Sequence, residues 1–278
     1  MSVTVHEAIA AATKWLTDAG IPNAGVDARI LLAHAMECES SRLILMEDDD
    51  VHPDVFRIFD GYLASREKFQ PVSQIIGGRE FWGRWYNVTS DVLDPRPETE
   101  SLIETALQHG PFERVLDLGT GSGILAVTLA AEWAEARVIA IDISSEAIAV
   151  ATKNAAAHDV ADRVNFIVSN WFDAVAGQFD LIVSNPPYIA AAEMSSLSPD
   201  VRNWEPFLAL TPGGDGLESY RIIASMLNDF LADTGLALFE IGHTQGADVV
   251  DIFRSAGFAN VTVAQDLGGK DRVVAVKK

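Results

Sequence analysis

The apolar residues of this chain change their period partway along it. Over the first 70 or so residues they recur at helical spacing. Val5, Ala8, Ile9, Ala12, Trp15 and Leu16 form one stripe, opened by a Thr4-Val5-His6-Glu7 capping box and stopped at Gly20. A second amphipathic stretch runs from about Val26 to Met36, through Ile30, Leu31, Ala33 and His34, and a third from about Pro53 to Lys68. His34 in that setting reads as a packed helix residue rather than a ligand. Between the second and third stretches, Glu47-Asp48-Asp49-Asp50 reads as a solvated loop that caps the helix after it. Residues 1–78 are therefore expected to form a small helical bundle. The aromatics Trp82, Trp85 and Tyr86, with Gly77-Gly78 before and Val88 after, predict a β-hairpin, so 79–95 is expected to be a hairpin linker.

From Arg114 onward, apolar runs of strand length alternate with helical stretches. Strands are predicted over about 114–118, 138–142, 164–168, 179–184, 236–241, 261–265 and 272–276. Such alternation implies a doubly wound α/β fold, with a mostly parallel sheet covered by helices on both faces. Only Asp266 to Asp271 joins the last two strands, too little for a crossover helix, so the last strand is expected to run antiparallel. Residues 96–278 are expected to form this seven-stranded domain. Within it, the stretch from about Ile189 to Pro212, rich in Ser, Pro and Ala, reads as a mobile, substrate-facing insertion.

Two motifs sit at predicted strand ends. The run Arg114-Val115-Leu116-Asp117-Leu118 leads into Gly119-Thr120-Gly121-Ser122-Gly123 and then a helical stretch from Ile124. A strand, a glycine turn and a helix make a nucleotide-cofactor site, because glycines let backbone N–H groups approach a ligand. The dinucleotide fingerprint requires a sixth-place glycine, where this chain has Ile124, and a phosphate-binding P-loop requires a Gly-Lys-Ser/Thr that is missing. The next strand ends in Asp142, a carboxylate placed to accept both hydroxyls of a ribose, or to cap the helix beginning near Ser145. The third strand leads to Asn170-Trp171-Phe172, where an amide and a backbone N–H can read adenine under an aromatic ring, unless Trp171 is core.

The second motif, Asn185-Pro186-Pro187-Tyr188, follows the strand run ending at Ser184. An amide nitrogen is a poor nucleophile because its lone pair is delocalised. The Asn185 side-chain carbonyl and the Pro186 backbone carbonyl, stiffened by Pro187, can each accept one N–H and aim such a nitrogen, while Tyr188 offers a flat face to a planar group. The plain alternative is a proline-rich turn after a buried strand. Further upstream, Pro95-Arg96-Pro97-Glu98-Thr99-Glu100 starts a helix with carboxylates in its first turn. They either complement the helix dipole or bring this turn beside the cofactor pocket.

On these residues the chain resembles the bacterial peptide chain release factor glutamine N(5)-methyltransferases, the HemK/PrmC type. The likeness continues through 71–77, Arg79-Glu80-Phe81-Trp82, 92–100, Glu205-Pro206 with Ala209-Leu210, 214–220, Glu240-Ile241-Gly242 and 268–273. Asn-Pro-Pro-Tyr alone is shared with enzymes that methylate amino groups of DNA and RNA. The chain departs from the family at Asp94, where Ile is usual, and at Asn170, where Asp is usual. The resemblance implies a class I S-adenosylmethionine-dependent methyltransferase fold with a helical substrate-recognition domain. It implies S-adenosyl-L-methionine as cofactor, S-adenosylhomocysteine as product and no metal. The cofactor would be held by Gly119, Thr120, Gly121, Ser122, Gly123, Asp142, Asn170, Trp171 and Asn185. Asn185, Pro186 and Tyr188 would be catalytic, with Pro187 joining them in binding substrate. The acceptor implied is the glutamine of a Gly-Gly-Gln tripeptide in a release factor; alternatives are a ribosomal-protein glutamine or a nucleic-acid base.

Composition bears on partners. Forty acidic residues against 20 basic give a formal charge of −20, which at long range repels phosphate backbones and attracts basic proteins. No direct nucleic-acid binding is expected. A single cysteine, Cys38, excludes a disulfide framework and Cys-based zinc, and no run approaches the roughly 18 apolar residues of a membrane span. With no basic-then-apolar leader at Met1 to Glu7, the expectation is an unexported, cytoplasmic enzyme acting as a monomer.

Overall fold

A computed structural model of the chain describes residues 3–278; Met1 and Ser2, which begin the segment inspected for a leader, lie outside the described residues. Two compact units result, one made of residues 1–78 with Ser198–Trp204, the other of 79–197 with 205–278.

The first unit packs α1 (Val5–Asp18), α2 (Ala24–Ala35), α3 (Pro53–Arg66) and α4 (Val72–Ile76) around Leu16, Leu31, Leu32, Phe59 and Leu63. The capping box of α1 closes both ways: Glu7 N–H donates to Thr4 Oγ1 at 3.2 Å, and Thr4 N–H to Glu7 Oε2 at 3.0 Å. Under this core lies a buried ion pair, in which Arg66 Nε donates to Asp27 Oδ2 at 2.7 Å while Nη1 donates to the Gln70 carbonyl. The acidic run at 47–50 does not cap α3. The helix begins at Pro53, so the cap position falls on His52, two residues beyond the run, and His52 Nδ1 accepts the Asp54 N–H; the Glu47 and Asp49 carbonyls instead accept the first N–H groups of α1.

The second unit begins with a hairpin, β1 (Gly78–Phe81) and β2 (Arg84–Asn87), turned by Trp82 and Gly83, both at positive φ as a two-residue hairpin of the right twist demands. Trp82 holds this unusual conformation with its N–H donated to Glu100 Oε1 at 3.0 Å, so Glu100 serves the hairpin. After α5 (Glu100–His109) the chain alternates through β3 (Arg114–Leu118), α6 (Ile124–Glu132), β4 (Arg137–Asp142), α7 (Ser145–Ala157), β5 (Val164–Val168) and β6 (Phe179–Ser184). The insertion after β6 carries α8 (Pro199–Trp204) and α9 (Phe207–Leu210). Then follow α10 (Glu218–Phe230), β7 (Leu231–Glu240), α11 (Gly246–Ser255), β8 (Asn260–Gln265) and β9 (Asp271–Lys277).

The sheet order is β5-β4-β3-β6-β7-β9-β8, with β9 alone reversed. Its strands read as nearly unbroken apolar runs because both faces are covered. On β3, Val115 enters one core layer with Leu125 and Leu129 of α6, while Leu116 and Leu118 enter the other with Ile223 and Leu227 of α10. The insertion expected to be a mobile loop is instead folded: beyond its two short helices, the Ile189 N–H bonds Leu210 O and Ala191 N–H bonds Gly214 O. Seven residues of it group with the helical unit, where Trp204 Nε1 donates to the Lys68 carbonyl. Strand β7 also starts earlier than the pattern predicted, at Leu231, because Leu231 pairs with Phe179 across a register shift.

Candidate active site

Parallel register brings the motif residues into a row. Strand β3 pairs β4 with Leu118 opposite Ile141, and pairs β6 with Leu118 opposite Ser184; β6 pairs β7 with Ser184 opposite Phe239. One residue further, Asp142, Gly119, Asn185 and Glu240 therefore stand side by side across the carboxyl edge of four adjacent strands, each about 4.8 Å from the next. This edge is where open α/β sheets bind ligands. The Ser184 hydroxyl, fully buried, fastens the row by donating to Leu118 O at 2.6 Å.

Gly119, Gly121 and Gly123 all take positive φ (70°, 54° and 84°), which residues with a Cβ rarely adopt. At Gly123 space is short as well: a Cβ there would lie 3.0 Å from that of Ala151. The loop is held from below by Asp117, whose Oδ2 accepts the Thr120 hydroxyl at 2.6 Å and the Ala126 N–H at 3.2 Å. Complete burial pushes the Asp117 carboxyl up to about 7 despite those two bonds. Asn154 ties the same loop to the hairpin, donating to both Ser122 O and Asn87 O and accepting from Asn87.

Asp142 accepts the Gly121 N–H on one oxygen and the Ser144 N–H on the other, both at 2.9 Å. Burial raises its pKa, and those N–H groups oppose the rise. Each carboxylate oxygen keeps a further lone pair for a ligand hydroxyl. The capping of α7 falls to Ser144, whose Oγ accepts the Ala147 N–H, so Asp142 is not consumed as a cap.

These groups open on a cavity of about 710 Å³, well within the range of small-molecule sites. Gly119, Thr120, Gly121, Ser122, Asp142, Asn170, Trp171, Asn185 and Pro187 line it, and so do Asp94, Arg96 and Thr99 from the Pro-Arg-Pro turn. Gly123, Pro186 and Tyr188 are not among its lining residues. Trp171 borders the cavity while packing on the core layer beneath. Asn170 is exposed. Tyr188 packs on the same layer, and burial together with the nearby Glu240 raises its phenol to about 12.

Within Asn185 to Tyr188 the polar groups divide cleanly. Asn185 Nδ2 is engaged, donating to Thr99 Oγ1 at 3.3 Å. The Pro187 carbonyl accepts the Ser219 hydroxyl, and that of Tyr188 accepts Gln245 Nε2. Among the described residues, Asn185 Oδ1 and the Pro186 carbonyl accept nothing. The corner thus leaves two acceptors without a hydrogen-bond partner among the described residues, with their neighbours fixed, and of the two only Asn185 Oδ1 belongs to a residue lining the cavity.

Four residues near the cavity received no individual role from motif reading. Arg96 spans both oxygens of buried Glu205 at 2.6 and 2.8 Å; burial lowers its pKa, but Glu205 and Asp94 more than offset that. Asp94 is itself buried, with Oδ2 accepting Arg79 Nη1 at 2.8 Å. Thr99 and Glu240 are each 1% exposed behind Asn185. For Glu240 a signal existed: it ends an apolar strand run, as Asp142 does.

Comparison with known proteins places the chain. Residues 7–77 match the PrmC N-terminal domain and 91–198 the methyltransferase small domain. The chain is similar to the release factor glutamine methyltransferase of Cereibacter sphaeroides, 53% identical over 98% of this chain and 97% of that one. It is 39% identical to the enzyme of the same name from Agrobacterium fabrum, over 99% and 98%. Among solved structures, the hMettl16 catalytic domain in complex with the MAT2A 3'UTR hairpin 1 aligns with a TM-score of 0.61. At 18% identity, covering 76% of this chain and 82% of that one, it bears on the fold alone, a methyltransferase fold.

Proposed function

The chain belongs to the release factor glutamine methyltransferase family, and from that premise we propose that it methylates the side-chain amide nitrogen of the glutamine in the Gly-Gly-Gln tripeptide of peptide chain release factors. The observation that carries the reading is the pair of free acceptors at Asn185 and Pro186, in the same row as the glycine loop and Asp142.

The residues present fit S-adenosylmethionine. The positive-φ glycine loop leaves room for a ligand against backbone N–H groups, Asp142 keeps lone pairs for a ribose, and Trp171 borders the cavity for the adenine. Bound there, this cofactor supplies an electrophilic methyl carbon on a sulfonium. Asn185 Oδ1 and the Pro186 carbonyl accept the two amide protons and turn the nitrogen's lone pair toward that carbon. Both acceptors hold more tightly as the nitrogen gains positive charge, so they favour the transition state over the ground state. The C–S electron pair would stay on the departing sulfide, and the methylated nitrogen, made acidic by its positive charge, would release its surplus proton to water, so no strong general base is needed at this corner.

The helical unit, matched by the PrmC N-terminal domain model, is read as the part that recognises the protein acceptor. A net charge of −20 favours a basic protein over free nucleic acid as partner. The test is incubation with isotope-labelled S-adenosylmethionine and, separately, release factor, ribosomal protein and DNA, with mass-spectrometric mapping of the modified residue. Label on the Gly-Gly-Gln glutamine is the expected result. Label on a ribosomal protein or on DNA, with the release factor unmodified, would refute the assignment.

A further inference from the structure

We propose that Arg96 binds the carboxylate of the cofactor's methionine tail, as the anion-binding side chain of the cavity wall. This rests on the reading of the cavity as an S-adenosylmethionine site.

The charges of the wall set the problem. Asp91, Asp94, Asp142, Glu146 and Glu218 line the cavity, and Arg96 is the only Lys, Arg or His among the described residues that line it. S-adenosylmethionine carries two cationic centres, its sulfonium and its α-ammonium, and one carboxylate. An acidic wall suits both cations. It repels the carboxylate, which needs a cation or directed N–H groups before it can leave water.

Arg96 can supply both. It makes two hydrogen bonds, both from Nη2, to the two oxygens of Glu205 at 2.6 and 2.8 Å. Glu205 is buried, so the guanidinium is anchored through one nitrogen on a fixed carboxylate. A guanidinium has five N–H donors, and the Nε–H and both Nη1–H groups of Arg96 have no partner among the described residues. The side chain is only partly covered, 31% exposed, which leaves those donors open to a ligand. Its backbone is held as well. Arg96 lies between Pro95 and Pro97 and keeps the extended φ of −102° and ψ of 138° that a residue before proline favours. Tying down Glu205 accounts for one nitrogen of this group, and a ligand carboxylate accounts for the rest.

The place of the turn agrees with the assignment. Thr99, three residues beyond Arg96, receives Asn185 Nδ2 at 3.3 Å, so the turn meets the row at its Asn185 end. Asp142 and Trp171 follow β4 and β5, on the other side of β3 and its glycine loop. A cofactor with its ribose at Asp142 and its methyl toward Asn185 sends its amino-acid tail to the end where Arg96 lies.

The experiment is calorimetric titration of the full-length protein, without acceptor or turnover, using two ligands. One is S-adenosylmethionine and the other its decarboxylated analogue, which keeps the sulfonium and the amine. In Arg96→Met, affinity for S-adenosylmethionine should fall about 10–100-fold, the scale of a hydrogen bond to a charged group, while affinity for the analogue moves less than about threefold. Because Arg96→Met strands the buried Glu205, the pair Arg96→Met/Glu205→Gln is titrated too, with the same change expected.

The ratio of the two dissociation constants is what decides. A shift in that ratio of less than about threefold would overturn the assignment, whether both ligands weaken together, as an Arg96 that only shapes the pocket requires, or neither weakens. A parent protein that binds neither ligand would sink the cofactor reading of the cavity and this inference with it. A parent that binds S-adenosylmethionine, beside variants with an unchanged ratio, defeats the Arg96 assignment alone.

Discussion

Truncating Asn185 to Ala removes one of the two free acceptors without touching the glycine loop. In the ground state the lost bond is an ordinary neutral one, about 0.5–1.5 kcal/mol, so acceptor affinity should change little. In the transition state the nitrogen carries positive charge, and a hydrogen bond assisted by charge is roughly twice as strong. Loss of a fixed polar group facing developing charge costs about 10²–10³ in kcat, or roughly 2.7–4 kcal/mol, and the Pro186 carbonyl sets the residual rate. Cofactor affinity should stay within about fivefold, because Asp142 and the loop amides supply most of the holding groups. Stability should fall by no more than about 1 kcal/mol, since the side chain's one bond, to Thr99, is long at 3.3 Å. Single-turnover methylation with saturating cofactor, together with calorimetric titration of S-adenosylhomocysteine, separates these quantities. A variant whose single-turnover rate stays within about fivefold of the parent would refute the positioning role, as would one in which cofactor affinity collapses along with the rate.

Gly123→Ala forces a Cβ into a position with φ of 84° and 3.0 Å from Ala151 Cβ, and should cost about 1–3 kcal/mol in urea unfolding while weakening cofactor binding. Asp27→Ala strands the buried Arg66 guanidinium and should destabilise the helical unit by about 3–5 kcal/mol; an Asp27→Ala chain as stable as the parent in urea would count against that pair. Stability should also depend on pH through Glu240. Its folded pKa of about 7 lies above the ordinary carboxylate value, so between roughly pH 4 and 7 the folded state binds more protons than the unfolded one. That contribution is fully present at low pH and is lost as pH rises through 7. The stability advantage of Glu240→Gln over the parent should therefore grow from pH 5 to pH 8, and an advantage flat with pH would exclude the titration.

Much of this protein follows from local pattern. The strands of the sheet are legible because residues buried on both faces leave unbroken apolar runs, and 114–118, 164–168 and 179–184 match the structure residue for residue. The reversed last strand follows from a connection too short to cross over. The glycine loop is legible because positive φ selects glycine at three close positions, and Asn-Pro-Pro-Tyr because its stiffness is encoded in neighbouring residues. Where the pattern misled, a tertiary partner had intervened. The acidic run is drawn to α1, whose first N–H groups its carbonyls accept, while α3 starts beyond it at Pro53 and is capped by His52; the insertion at 189–212 folded because its backbone found bonds to Leu210 and Gly214.

What the sequence could not supply is the order of strands across the sheet. Gly119, Asp142, Asn185 and Glu240 span just over a hundred and twenty residues of chain, and only the register of four parallel strands makes them neighbours. Thr99 arrives from yet another segment, and its bond to Asn185 joins residues 86 apart. Local propensity settles which residues a strand end carries. Which strand ends meet depends on how the whole sheet is closed by its core, and that is a property of the folded chain alone.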